Sequence, residues 1–211
     1  MIRLRGKCTL DPAAMNRQMH DMLIETERTP NPAALKFLPG REVMGTGTRD
    51  FTSPEDAEAS PLASALFTLP DVTGVFYGRD FISVTKAEGS ADWRELKPQV
   101  LGVLVDHFAS GAPLFQGGGA EAIDIAPDVP ADDPEDADIV AQINELIETR
   151  VRPAVANDGG DIIYRGFSKG TVYLQMQGAC SGCPSSVMTL KQGIETLLKH
   201  YVPEVTEVRA L

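Results

Sequence analysis

At 211 residues and 43% apolar content, the chain is long enough for one large domain or two small ones, each able to bury a core. A formal net charge of -11 argues against a nucleic-acid binder, which needs clustered Lys and Arg, and no stretch approaches a membrane span. The 3 cysteines, two of them close together and one odd, indicate a reducing compartment and not a disulfide framework.

Residues 1–21 carry Arg3, Arg5 and Lys7 but no apolar run long enough for a secretory core, and Asp11 and Asp21 interrupt what a transit peptide would keep free of acids. They read as a disordered extension, with Met22 opening the folded chain and Cys8 left without a structural role. Leu23-Ile24-Glu25-Thr26-Glu27 reads as a short strand. Thr29-Pro30-Asn31-Pro32 follows as an extended turn, because two prolines exclude a helix. A second strand covers 33–38 and stops at Pro39-Gly40. Gly45-Thr46-Gly47-Thr48 looks superficially like a phosphate loop, but no Lys-Ser/Thr and no long helix follow it. Ser60-Pro61 starts a helix through Leu62, Ala65, Leu66 and Leu69. Residues 71–86 read as a hairpin turning at Gly78-Arg79-Asp80, and 93–108 as a helix with Leu96, Val100, Leu101, Leu104 and Val105 toward the core.

From 116 to 132 the composition shifts to Gly117-Gly118-Gly119, then to prolines and acids, which marks a flexible acidic linker between residues 22–115 and residues 133–211. The second body opens with Asp133 as N-cap and Pro134 at the first helical position. Ile139, Ile143, Leu146, Ile147 and Val151 give that helix one buried face, and Pro153 kinks or ends its regular part. Asn157-Asp158-Gly159-Gly160-Asp161 is a turn. A hairpin with alternating Val172, Leu174 and Met176 then leads to Gly178-Ala179-Cys180-Ser181-Gly182-Cys183-Pro184-Ser185-Ser186. A second helix and a final strand over 205–209 complete the order helix, strand, strand, helix, strand. The fold class is α+β: two small domains, with the Cys-x-x-Cys loop ahead of the second helix of the C-terminal one.

Two thiols three positions apart converge on one centre, and thiolates select zinc, copper(I) or iron–sulfur clusters. One chain supplies Cys180 and Cys183 and falls short of a four-sulfur cage, whereas a two-fold dimer doubles the pair and closes it. Pro184 suits the first helical position, which puts Cys183 at a helix N-terminus; its partial positive charge is expected to keep the sulfurs deprotonated and accessible. The motif by itself also fits a structural zinc half-site, a redox dithiol or two incidental cysteines. A thioredoxin-like pair normally has an aromatic before it and a proline within it, and here Ala179 and Ser181-Gly182 stand there instead. A zinc ribbon needs a second pair in the same chain. His20, His107 and His200 are scattered without ligand spacing, and the acids of Asp158-Gly159-Gly160-Asp161 mark a turn before they mark a hard-cation site.

The Val151-Arg152-Pro153 helix end, the Asp158-Gly159-Gly160-Asp161 turn, the hairpin and the cysteine loop together resemble the NifU-like C-terminal domain of Nfu-type iron–sulfur proteins. Thr29-Pro30-Asn31-Pro32, Lys36-Phe37-Leu38-Pro39 and the Val75-Phe76 hairpin resemble the Nfu N-terminal domain, so the likeness covers nearly everything after Met22. The resemblance implies a non-enzymatic carrier that holds a [4Fe–4S] cluster between two subunits through Cys180 and Cys183 of each. It implies donors among upstream iron–sulfur assembly proteins, and apo-protein recipients such as radical-SAM enzymes or aconitase-like dehydratases. The implied setting is the bacterial cytoplasm, or the mitochondrial matrix if the source is eukaryotic. The contrasting expectation from the residues is a thiol–disulfide oxidoreductase using the same dithiol, or a purely structural zinc-bridged dimer.

Overall fold

A computed structural model describes residues 23–90, 92–116, 129–130, 132–181 and 184–211, with the side chains of 184–186 left aside. The expectations for residues 1–21 with Cys8 and His20, for most of the linker, and for Cys183 fall outside the described residues.

The first domain is an antiparallel sheet of five strands in the order β1-β2-β5-β4-β3. The strands are β1 (Glu25–Arg28), β2 (Ala34–Leu38), β3 (Arg49–Phe51), β4 (Val72–Tyr77) and β5 (Ile82–Lys86). Three helices accompany it: α1 (Pro54–Ala57), α2 (Pro61–Phe67) and α3 (Trp93–Ser110). Helix α2 begins where Ser60 accepts from the Ala63 amide and Pro61 occupies the first turn; α3 begins at Asp92 and ends at Gly111 in the left-handed region, φ 66°. Side chains alternate across a strand, so Leu35, Phe37, Val75, Tyr77, Ile82 and Val84 share one face and build the core with Leu62, Leu66, Leu96, Val100 and Leu104. Tyr77 buries its hydroxyl within reach of Ser60 Oγ at 2.9 Å, which answers the need of a buried polar atom for a partner. One expectation for this domain needs correction. Val105 is 38% exposed, because it lies off the Leu96-Val100-Leu104 stripe. The stretch from Gly45 onward leads into β3 and the four-residue α1, which are too short to print a periodicity.

The second domain runs α4 (Ala137–Leu146), α5 (Arg152–Asn157), β6 (Gly160–Ser168), β7 (Thr171–Gly178), α6 (Pro184–Tyr201) and β8 (Glu207–Ala210). Its sheet has the order β6-β7-β8, antiparallel between β6 and β7 and parallel between β7 and β8, with α6 as the crossover that parallel pairing requires. A 3₁₀ turn at Pro134–Asp136, capped by Asp133, precedes α4, and a π turn at Ile147–Val151 joins α4 to α5. Pro153 therefore sits in the first turn of a resumed helix, where its missing amide costs nothing. Ile143, Ile147, Val155, Ile162, Val172, Leu174, Ile194 and Leu198 fill the core.

The end of the linker is fastened. Asp132 Oδ1 accepts from the Tyr164 hydroxyl and the Phe167 amide, both at 2.7 Å, beside the β6 bulge between Tyr164 and Gly166. The two domains, expected from the linker to be loosely tethered, pack against each other at the turn 157–161 and the end of β7.

Candidate metal centre

Strand β7 delivers the cysteine loop. Gly160 on β6 pairs with Gly178 on β7, and the chain then turns sharply. Gly178 has φ 66°, and the Ser181 amide and hydroxyl both donate to Gly178 O, at 3.0 and 2.8 Å. A side chain at Gly178 would meet Phe76 of the first domain at 2.7 Å, and one at Gly160 would meet Gln177 O at 2.3 Å and Cys180 Sγ at 2.9 Å. Glycine stands at these positions because two backbones and a sulfur approach too closely for anything larger.

Cys180 stands within that bend, two residues after Gly178. It is 5% exposed and packs into the core of the second domain, on the wall of a cleft of about 510 Å³ that also contacts Pro30, Asp158, Ala179 and Leu190. Burial, reinforced by the negative charges of Asp158 and Asp161, pushes its thiol up to about 12. The expectation of an accessible, deprotonated sulfur is thus corrected for Cys180, which lies ahead of α6 and not in its first turn. Among the described residues no group of three or more His, Cys, Asp or Glu is placed to hold a metal ion.

The turn beneath the loop is held by charge. Arg152 donates from Nε to Asp161 Oδ1 at 2.9 Å and from Nη2 to Oδ2 at 2.6 Å, and reaches Glu148 through Nη1 at 2.8 Å. Asp161 also accepts from Thr48 Oγ1 at 2.9 Å and from the Ile162 amide at 2.8 Å, so its lone pairs are spent within the protein. The bidentate bond to Asp161 is the main reason the Arg152 guanidinium is held above its ordinary range. His107 and His200 have structural neighbours, resting edge-on against Phe108 and Tyr201 at 5.5 and 4.8 Å between ring centroids.

The sequence reading missed Asp50. Its Oδ2 accepts from the Gly178 amide at 3.3 Å. Burial raises its carboxyl from 3.8 to about 6, with Asp56 adding to the rise while the Gly178 amide and Arg49 oppose it. A carboxyl raised in the folded state contributes most below its unfolded value of 3.8, and that contribution is lost as pH climbs through about 6. Asp50→Asn keeps an oxygen for Gly178 and removes the charge. It is expected to stabilise the chain at neutral pH by about 2 kcal/mol, a gain that vanishes below about pH 4. Urea titrations across that pH range check this.

Residues 24–111 match the family model described as "Scaffold protein Nfu/NifU N terminal", and residues 143–209 match the "NifU-like domain". The human "NFU1 iron-sulfur cluster scaffold homolog, mitochondrial" is 47% identical over 197 residues, covering 93% of this chain and 75% of that protein. "NifU-like protein 5, mitochondrial" of Arabidopsis thaliana is 50% identical over 193 residues, covering 90% of this chain and 68% of that one. A solution NMR structure of a NifU-like protein from Saccharomyces cerevisiae aligns with TM-score 0.41 at 26% identity, over 46% of this chain and 86% of that one. With both domain models matched in order and close to half of the residues shared with these relatives over nine-tenths of its length, this chain belongs to the Nfu family of NifU-like proteins.

Proposed function

We propose that this chain is an iron–sulfur cluster scaffold and carrier that holds a [4Fe–4S] cluster between two copies of itself, through Cys180 and Cys183 of each, and passes it to apo-proteins. The observation that carries the reading is a Cys-x-x-Cys pair following β7, in a chain whose relatives are named iron–sulfur scaffolds. The stoichiometry supports the dimer, since a subunit with two thiols in that loop supplies half of what a four-iron cube takes. The role is that of a carrier and not of an enzyme. A cluster shared between two loops leaves stepwise, as each thiolate exchanges for a recipient's cysteine.

Upstream assembly proteins would load the cluster, and recipients would include radical-SAM enzymes and aconitase-like dehydratases. The relatives named as mitochondrial favour the mitochondrial matrix as the setting if the source is eukaryotic, and the bacterial cytoplasm is the counterpart otherwise. Among the described residues no helix is long and apolar enough to cross a membrane. The alternative of a thiol–disulfide oxidoreductase draws no support from Cys180, which is 5% exposed and packed in the core of the second domain, out of reach of a disulfide partner.

Anaerobic reconstitution with iron and sulfide, followed by metal and sulfide analysis and mass determination, tests the reading. Wild type is expected to yield a brown dimer with one four-iron cluster per pair of chains, and Cys180→Ser to lose the bound iron and sulfide. Undiminished iron and sulfide in Cys180→Ser, or a loaded species that is strictly monomeric with no small thiol completing the coordination, sinks it.

A further inference from the structure

One row of side chains crosses the whole first sheet on the face away from its core. Register aligns Glu27 with Lys36, Lys36 with Ser83, Ser83 with Phe76, and Phe76 with Asp50. A sheet face turned to water would leave such polar residues exposed, yet Lys36 is 6% and Ser83 1% exposed. The second domain buries them, and three members of the row, Lys36, Ser83 and Asp50, hold backbone atoms of the turn 157–161 or of the cysteine loop. Lys36 Nζ donates to Asn157 O at 3.3 Å, and Ser83 Oγ to Gly159 O at 2.6 Å. Phe76 fills the space that a side chain on Gly178 would need, and Asp50 accepts the Gly178 amide. From the strand connection beside the row, Asn31 Nδ2 donates to Ala179 O at 3.1 Å, next to Cys180, and Pro30 forms part of the cleft wall.

We infer that this face of the first domain is a docking surface for the cysteine loop of its own chain, a cap that is closed in the cluster-free protein and lifts when the loop takes up a cluster. The bonds read main-chain carbonyls and an amide of a loop whose glycines bring them to the surface, so the surface fits this loop geometry rather than a charged or apolar ligand. Docking and sharing exclude each other. A cluster on a two-fold axis needs a second copy directly facing the loop, and the first domain now stands against Gly178 and Ala179.

The test uses the full cluster-free chain and reads maleimide modification of Cys180 by mass spectrometry. Asn31→Asp keeps the oxygen that accepts from the Ala33 amide and turns an oxygen toward Ala179 O, while Ser83→Ala deletes the bond to Gly159. Loss of two buried hydrogen bonds shifts a local opening equilibrium, so Cys180 is expected to react about tenfold faster in the double variant. Thr73→Ala, at an exposed position of the same sheet, is expected to react at the wild-type rate. Lys36→Ala leaves Asn31 and Ser83 in place and is expected to accelerate the reaction by a smaller factor, which serves if the double variant does not fold. Equal rates in all folded variants overturn the cap. The lifting step rests on Cys180 being a cluster ligand, and the two failures separate: faster modification without cluster uptake keeps the docking surface and removes the cargo, whereas cluster uptake with equal modification rates removes the cap alone.

Discussion

Gly160→Ala is expected to cost the second domain about 3 kcal/mol, enough to leave a domain of ordinary stability marginal. The new methyl group would lie 2.3 Å from Gln177 O and 2.9 Å from Cys180 Sγ. The first contact is with backbone of the neighbouring strand, in the register that pairs Gly160 with Gly178, so relief requires β6 and β7 to part where they carry the loop. The second forces the sulfur out of its packed position. A helical glycine with open space around it is predicted to behave oppositely: Gly193→Ala, with nothing within 4 Å of the added carbon, should gain about 0.5–1 kcal/mol from helix propensity. Urea denaturation followed by circular dichroism separates the two signs, and a Gly160→Ala protein as stable as wild type would refute the close approach.

Arg152→Ala is expected to destabilise by about 3 kcal/mol, at the lower end for a broken buried ion pair because the guanidinium is partly in water. Asp161 is 4% exposed and would be left with only Thr48 and the Ile162 amide as donors. Most of the loss comes from stranding that carboxylate, so Arg152→Ala/Asp161→Asn is expected to recover more than half of it. Chemical denaturation of the two single variants and the double variant at neutral pH measures the cycle. Additive losses would show that the bidentate contact carries no coupling.

Much of the architecture was legible because it is local. Asp133-Pro134 announced a helix start, Gly78-Arg79-Asp80 a hairpin, and alternating Val172, Leu174 and Met176 a half-buried strand. The π turn left no mark, since Ile147 and Val151 satisfy an ordinary helical stripe as well as a widened one. The cysteine loop stood out by spacing alone, but the burial of Cys180 depends on apolar groups distant in sequence, and the rise of its thiol on that burial with Asp158 and Asp161 added. The seam between the domains was invisible for a different reason. Lys36, Ser83 and Asn31 bond to carbonyl oxygens of the other domain, and a carbonyl is the same on every residue, so no residue type signals the match. Thr29-Pro30-Asn31-Pro32 could be read as a turn, though not as a turn built to reach Ala179.

The π turn at Ile147–Val151 has an effect on aim. Each added residue rotates a helix by about 100°, so the wider turn changes the azimuth from which Arg152 leaves the helix without changing its composition. Shortening that stretch by one residue, even with every remaining side chain kept, would swing the guanidinium off Asp161 and leave the turn below the thiol unanchored. Helix length, more than helix chemistry, is therefore the quantity that insertions and deletions in this segment would be constrained to preserve.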